Sequence, residues 1–284
     1  MSIYTHSKDA LKTINNAVNT ALDEDIGNGD VTAASFNNDE TASAKVISRE
    51  AAVLCGQQWF DLVFHKLDPN IVIDWKLNDG DSMEPDETVC TLNGNAKAIL
   101  TGERTALNFL QTLSGTATKT KIYVDRISGT DAQILDTRKT LPGMRYAQKY
   151  AVRCGGGENH RIGLFDAILI KENHIATAGT VTEAVNQAKQ HFPNLKLEVE
   201  VETIDQLKQA LKTETDVIML DNFTLAELEN AVAITDDKKK LEASGNMTLE
   251  NIREVAKTGV NFISIGAITK HVQAVDFSMR FEAD

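Results

Sequence analysis

From about residue 130 onward the chain repeats one pattern: a short apolar run, a polar or glycine-containing turn, then a stretch with helical spacing. The apolar runs are Ile134-Leu135, Ala167 to Ile170, Leu195 to Val201, Val217 to Leu220, Leu241 to Ala243 and Phe262 to Ile265. Helical spacing appears near Gly143 to Cys154, Val181 to His191, Ile204 to Lys212, Leu225 to Ile234 and Leu249 to Lys257. Strand and helix alternating at this interval predict a parallel α/β sheet. Six strands are visible where a closed barrel has about eight. The expectation is therefore a βα barrel with one or two strands missing or outside this window; a doubly wound open sheet is the alternative.

The first 115 or so residues follow a different grammar. A helix is predicted near Asp9 to Ala21, and strands at Ala42 to Arg49, Ala52 to Leu54 and Ile71 to Leu77. Turn signals at Asn78 to Asp81 and Asn93 to Asn95 separate some of these runs, as in an α+β unit with an antiparallel sheet. A long helix is predicted from about Ala96 to Leu113, with Gly115 as its end.

Strands of a parallel sheet are normally apolar on both faces. These are not. Leu195, Leu197, Val199 and Val201 fall on one side, Lys196, Glu198, Glu200 and Glu202 on the other. Leu135 likewise alternates with Asp136 and Arg138, Leu220 with Asp221, Ala243 with Glu242 and Ser244, and Ile265 with Ser264 and Gly266. In a barrel the apolar side packs on the outer helices and the polar side faces inward. Carboxylates in that interior are costly unless paired, which points to a metal or to cations such as Arg138, Lys139 and Lys171. The polar residues gather where the apolar runs end, and βα barrels place their active sites at that face.

Charge sharpens this picture. The net charge is −12, which disfavours nucleic-acid binding. Yet Gln133 to His174 carries seven Lys/Arg against four Asp/Glu, a cationic island suited to a small anion. No apolar run approaches membrane-spanning length. Met1 to His6 lacks the basic and apolar regions of a signal peptide, and the three cysteines are odd in number and widely spaced. A cytoplasmic enzyme for a phosphorylated ligand is expected.

The densest polar stretch runs from Asp136 through Thr137, Arg138 and Lys139 to Arg145, and on through Gly155 to Arg161 and Lys171 to His174. An Arg–Lys neighbour pair combines bidentate and point-charge anion binding. The glycines at 155 to 157 either end a helix or let backbone amides approach an anion. Arg145, Lys149 and Arg153, four apart, read as a solvated helical stripe. His160 is a candidate ligand-binding residue, whereas His174 reads as structural or supporting. Glu200 and Asp221, on neighbouring strand ends, are candidates for magnesium or ribose hydroxyls. No GxGxxG, no Walker loop and no Cys–His nucleophile pattern is present.

Taken in order, these residues resemble the quinolinate phosphoribosyltransferase family. The resemblance runs through Glu24 to Thr32, Gly102 to Phe109, Asp136 to Lys139, Gly155 to Arg161 and Lys171 to His174. It continues through Glu198 to Glu202, Met219 to Asn222, Glu242 to Asn246 and Ile265 to Thr269. Asn246 stands where a glycine is often expected, and Thr269 to His271 departs from a Thr-His-Ser ending, both in the expected phosphate region.

The resemblance implies an N-terminal α+β sandwich domain (1–115), an incomplete, roughly seven-stranded α/β barrel (116–272) and a tail (273–284) returning to the N-terminal domain. It implies a homodimer whose active site borrows Arg104 from the partner, with quinolinate and phosphoribosyl pyrophosphate as substrates. Magnesium would accompany the latter, and no organic cofactor is needed. Arg104, Arg138, His160 and Arg161 are then expected to grip the two carboxylates, with Lys139 and Lys171 nearby and also stabilising the departing pyrophosphate, and Thr137 is a further substrate-binding residue. Glu200 and Asp221 would hold the ribose, directly or through magnesium. Ser244, Gly245, Asn246, Ile265, Gly266 and Ala267 would surround the 5′-phosphate. A phosphoribosyltransferase for nicotinate and a catalytically silent binding protein are the competing readings.

Overall fold

The computed structural model describes residues 8–35 and 40–282, so Met1 to His6, expected to carry no signal peptide, lie outside the described residues. The chain divides into two compact units. One holds the described residues up to Lys121 together with Thr140–Gly156 and those from Thr269 on; the other holds Ile122–Lys139 and Gly157–Ile268. The predicted helix near Gly143 to Cys154 therefore belongs to the first unit, whereas the remaining barrel helices belong to the second.

In the first unit, β1 (Thr41–Ser48), β3 (Val72–Trp75), β5 (Thr88–Asn95) and β12 (Phe277–Phe281) form an antiparallel sheet in the order β12-β1-β5-β3. The C-terminal strand β12 pairs with β1, Val46 facing Met279 in the register. Two short strands, β2 (Ala52–Val53) and β4 (Ser82–Met83), pair separately. Around them run α1 (Lys8–Ile26), α2 (Gln57–Leu67), α3 (Ala96–Arg126) and α4 (Arg145–Cys154). Trp59, Phe60, Val63 and Phe64 recur at helical spacing on α2 and are buried with Ile14 and Val18 of α1 and Leu107 and Leu110 of α3.

Three expectations need correction here. The long helix does not stop at Gly115: α3 continues to Arg126. A Cβ at Gly115 would stand 2.0 Å from the carbonyl oxygen of Gln273, so the glycine serves close packing, not termination. Asn93 to Asn95 is not a turn but the end of β5, where a Cβ on Gly94 would meet Ile71 Cγ1 at 2.7 Å. The Arg145, Lys149, Arg153 stripe is not solvated, because Lys149 is buried within α4. Gly155 does end α4, its N–H donating to Ala151 O at 3.0 Å, which supports the terminator reading of that glycine run.

The second unit is built on six parallel strands: β6 (Gln133–Leu135), β7 (Ile168–Ile170), β8 (Leu197–Val201), β9 (Val217–Asp221), β10 (Lys240–Ser244) and β11 (Phe262–Ser264). Their order is β6-β11-β10-β9-β8-β7. The strands run in sequence order from β7 to β11, and the first then pairs with the last. That is barrel closure; a doubly wound sheet would reverse direction in the middle. The open seam lies between β6 and β7. Into it comes the segment around Glu158, whose N–H donates to Ile134 O at 2.8 Å and whose carbonyl accepts from Asp136 N at 3.1 Å, as a single parallel bridge. This is the residue of a seventh strand position, and it accounts for the expected incomplete barrel.

Between the strands lie α5 (Glu172–Ala178), α6 (Val181–His191), α7 (Ile204–Ala210), α8 (Leu225–Thr235) and α9 (Ile252–Lys257), with the short α10 (Ala267–Lys270) after β11. Threonines start three of them. Thr180, Thr203 and Thr224 each accept the backbone N–H three residues on, from Glu183, Gln206 and Glu227. Among the described residues no helix is long and apolar enough to cross a membrane.

Candidate active site

Polar or small residues lie at or just beyond the end of each strand of the barrel. Asp136 to Lys139 follow β6, Lys171 follows β7, Glu200 and Asp221 lie near the ends of β8 and β9, Ser244 ends β10, and Ile265 to Ala267 follow β11. Parallel pairing sets them side by side, with Ser244 opposite Asp221 in the register. Gly266 lets the side chain of Lys139 cross it: a Cβ there would stand 2.8 Å from Lys139 Cδ and 3.5 Å from Thr137 Oγ1. The hydroxyl of Thr137 accepts from Lys139 N at 3.0 Å, which fixes this turn.

Lys171 and Glu200 form an ion pair across β7 and β8. Burial pushes the Glu200 carboxyl above the usual range, the Lys171 ammonium pulls it back, and Asp221 and Glu172 push it up again. Asp221 is oriented in turn by Asn222, whose Nδ2 donates to Oδ2 at 2.7 Å. His174 is structural: its Nδ1 accepts from Lys171 N at 2.9 Å and caps α5.

A second cluster lies deeper. His160 Nε2 stands 2.8 Å from Glu198 Oε2 and 3.7 Å from Glu242 Oε2, with both glutamates buried. Burial holds the Glu242 carboxyl well above the ordinary range, the Glu198 charge pushes it further, and Ser264 partly opposes this by hydrogen bonding. Glu198 stands against His160, and Arg138 and Lys139 are exposed. Glu202 does not join this interior; it is exposed beyond the end of β8, as is Lys196 before its start. Three ligand-type atoms so close resemble a metal site. The tautomer opposes it. His160 Nδ1 accepts from Arg161 N at 2.8 Å, which leaves the ring proton on Nε2, the atom a cation would need.

Arg161 follows directly. Burial lowers its affinity for a proton, and the like charge of Arg138 lowers it further, opposed by Glu198 and Asp166. The like charge of Arg138 thus acts on Arg161, with the carboxylates of Glu198 and Asp166 acting against it. The loop beyond is tied down by Asp166, which accepts from Ile162 N and Gly163 N, each at 2.8 Å.

The family description "Quinolinate phosphoribosyl transferase, N-terminal domain" matches residues 30–114, and "Quinolinate phosphoribosyl transferase, C-terminal domain" matches 116–280. The chain belongs to the quinolinate phosphoribosyltransferase family. A probable nicotinate-nucleotide pyrophosphorylase (carboxylating) of Bacillus subtilis is 42% identical over 259 residues, 90% of this chain and 89% of that protein. Quinolinate phosphoribosyltransferase (decarboxylating) 1b of Nicotiana tabacum is 38% identical, covering 94% of this chain and 82% of its own. Among solved structures, the nicotinate-nucleotide pyrophosphorylase of Francisella tularensis superposes with a TM-score of 0.93 at 49% identity, covering 95% of this chain and 96% of that one.

Within this quinolinate phosphoribosyltransferase barrel, the expected residues Thr137, Arg138, Lys139, His160, Arg161, Lys171, Glu200, Asp221, Ser244, Gly245, Asn246 and Ile265 to Ala267 all belong to the second unit. Arg104 belongs to the first unit, exposed on α3. Asp136, Asn159, Glu198 and Glu242 also enter the network but were not expected there as site residues. The alternation along β8 and β10 turns Glu198 and Glu242 inward without saying what they meet.

Proposed function

We propose that this chain transfers the phosphoribosyl group of phosphoribosyl pyrophosphate to the ring nitrogen of quinolinate. The ring then loses one carboxylate, giving nicotinate mononucleotide, pyrophosphate and carbon dioxide, a step of NAD biosynthesis. The observation that carries the reading is the set of charged groups at the strand ends: Lys171 ion-paired with Glu200, Asp221 close enough to act on that carboxylate, and Lys139 crossing Gly266. A planar dicarboxylate suits the arginines Arg138 and Arg161, because a guanidinium binds a carboxylate bidentately.

Chemistry at the anomeric carbon needs the pyridine nitrogen aligned opposite the leaving pyrophosphate, so much of the rate comes from positioning. In this reading Arg138, Arg161 and Thr137, with His160 beside them, seat the carboxylates, and Lys139 and Lys171 stabilise charge on the departing pyrophosphate. Ser244, Gly245, Asn246, Ile265, Gly266 and Ala267 receive the 5′-phosphate through hydroxyl and backbone groups. Once ribosylated, the pyridinium accepts the electron pair left when the adjacent carboxylate departs, so no organic cofactor is required.

Glu200 and Asp221 suit magnesium. Both are hard oxygen donors on adjacent strands, Asp221 close enough to raise the Glu200 carboxyl while Lys171 offsets it. Magnesium usually needs one or two protein carboxylates plus substrate phosphates, and here it would neutralise charge on the pyrophosphate. We further read the enzyme as a cytoplasmic homodimer in which exposed Arg104 completes the partner's site. The three free cysteines, all buried, fit a reducing compartment.

The test is magnesium-dependent release of carbon dioxide from quinolinate and phosphoribosyl pyrophosphate. Pyrophosphate release with nicotinate but not quinolinate would favour the nicotinate enzyme, and no release with either would favour a silent binding protein. Arg138→Ala should abolish most turnover in a folded protein; near-normal pyrophosphate release by it would overturn the assignment.

A further inference from the structure

We propose that Glu198 and Glu242 are positioning residues for quinolinate: from inside the barrel they anchor the His160 ring, and through it they hold Arg161 beside Arg138. The inference rests on the reading of the site given above and adds to it two residues that would not touch substrate.

The segment from Gly157 to Arg161 crosses the open seam between β6 and β7, where a strand would otherwise be held by a ladder. It has a single bridge, at Leu135 and Glu158. Its placement therefore falls to side chains. Asp136, fully buried at the end of β6, secures one side: its Oδ2 accepts from Asn159 Nδ2 at 2.6 Å and its Oδ1 from His160 N at 2.9 Å. The His160 ring secures the other by reaching the glutamates of β8 and β10.

Both ring nitrogens face protein atoms. Nδ1 accepts from Arg161 N at 2.8 Å, and Nε2 stands 2.8 Å from Glu198 Oε2. Such a ring is a strut. Tilting it moves the backbone N–H of Arg161, and with it the guanidinium that Ala167 O steadies at 3.3 Å. Glu242, 1% exposed and hydrogen-bonded to Ser264 of β11, lies 3.7 Å from the same ring nitrogen and close enough for the Glu198 charge to act on it.

Glu198→Met and Glu242→Met keep side-chain length and remove the carboxylate, and removing one partner of a buried charged cluster is expected to lower stability. Their melting temperatures are expected to fall, so their kinetics are read at a temperature where both remain cooperatively folded. KM for quinolinate should rise about tenfold, the scale of one lost contact to a charged group, while KM for phosphoribosyl pyrophosphate changes less than about twofold. Glu242→Gln, which keeps the shape and the hydrogen bonding, should restore KM for quinolinate. Folded Met variants with unchanged KM for quinolinate, or with both KM values raised alike, would overturn the inference. A wild-type enzyme with no quinolinate turnover would instead overturn the reading of the site.

Discussion

Asn222 Oδ1 occupies the space a side chain on Gly245 would need: a Cβ there would stand 2.2 Å from it. Gly245 also has φ of +97°, a conformation that side chains rarely adopt. The two residues lock the ends of β9 and β10, since Asn222 N donates to Ser244 O at 2.9 Å while its amide orients Asp221. Gly245→Ala must displace Asn222 or the loop. Steady-state kinetics should show kcat/KM for phosphoribosyl pyrophosphate falling roughly 10- to 100-fold, the scale of misplacing a reacting group. KM for quinolinate should change far less; equal losses for both substrates would contradict separate subsites.

Lys171 holds Glu200, which is 7% exposed. Lys171→Met removes the cation that counters burial of that carboxylate and, in the proposed mechanism, charge on pyrophosphate. A fall in kcat of about 100-fold is expected, as for other electrostatic groups acting at a transition state. The lysine side chain is 42% exposed, so the loss of stability should stay near 1 kcal/mol by chemical denaturation. An inactive variant that has also lost its cooperative unfolding would show a structural role instead.

The barrel and its strand-end residues are legible because both are written with short periods. Leu197, Val199 and Val201 alternate with Glu198 and Glu200 over five residues, and each apolar run closes on a polar residue. What escapes such a reading depends on contacts from far along the chain. Gly115 looks like a helix stop until Gln273 is seen against it. Lys149 looks solvated because spacing along one helix cannot reveal what covers it. The strand β12 is recognisable as such only beside β1. Glu198 and Glu242 can be placed inside from sequence, but their meeting at His160 depends on three separate segments closing together.

Gly115→Ala tests the close approach directly. A Cβ 2.0 Å from a backbone carbonyl oxygen cannot be relieved by turning a side chain, so α3 or the segment at Gln273 must move. Alanine's better helix propensity gains about 1 kcal/mol and overpacking loses about 1–3 kcal/mol, more when backbone must shift. A net loss is expected, read as a lower denaturation midpoint. A stabilised variant would mean that the glycine is an ordinary helix residue.

Asp79 makes stability depend on pH in a window that can be isolated. Its Oδ1 accepts from Gly56 N at 2.9 Å and Gln57 N at 3.3 Å at the start of α2, and its Oδ2 accepts from the Tyr150 hydroxyl at 2.8 Å. Burial outweighs these bonds and pushes the carboxyl from 3.8 up to about 6. Folding therefore favours the protonated acid. Its contribution is fully present below pH 3.8 and is lost as the pH rises through about 6. Asp79→Asn cannot ionise but can still accept the two backbone N–H groups. Its stability relative to the wild type should climb between pH 4 and 6 and level off above, measured by urea denaturation across that range. A difference that stays constant with pH would show that Asp79 ionises in the folded protein as readily as in the unfolded chain.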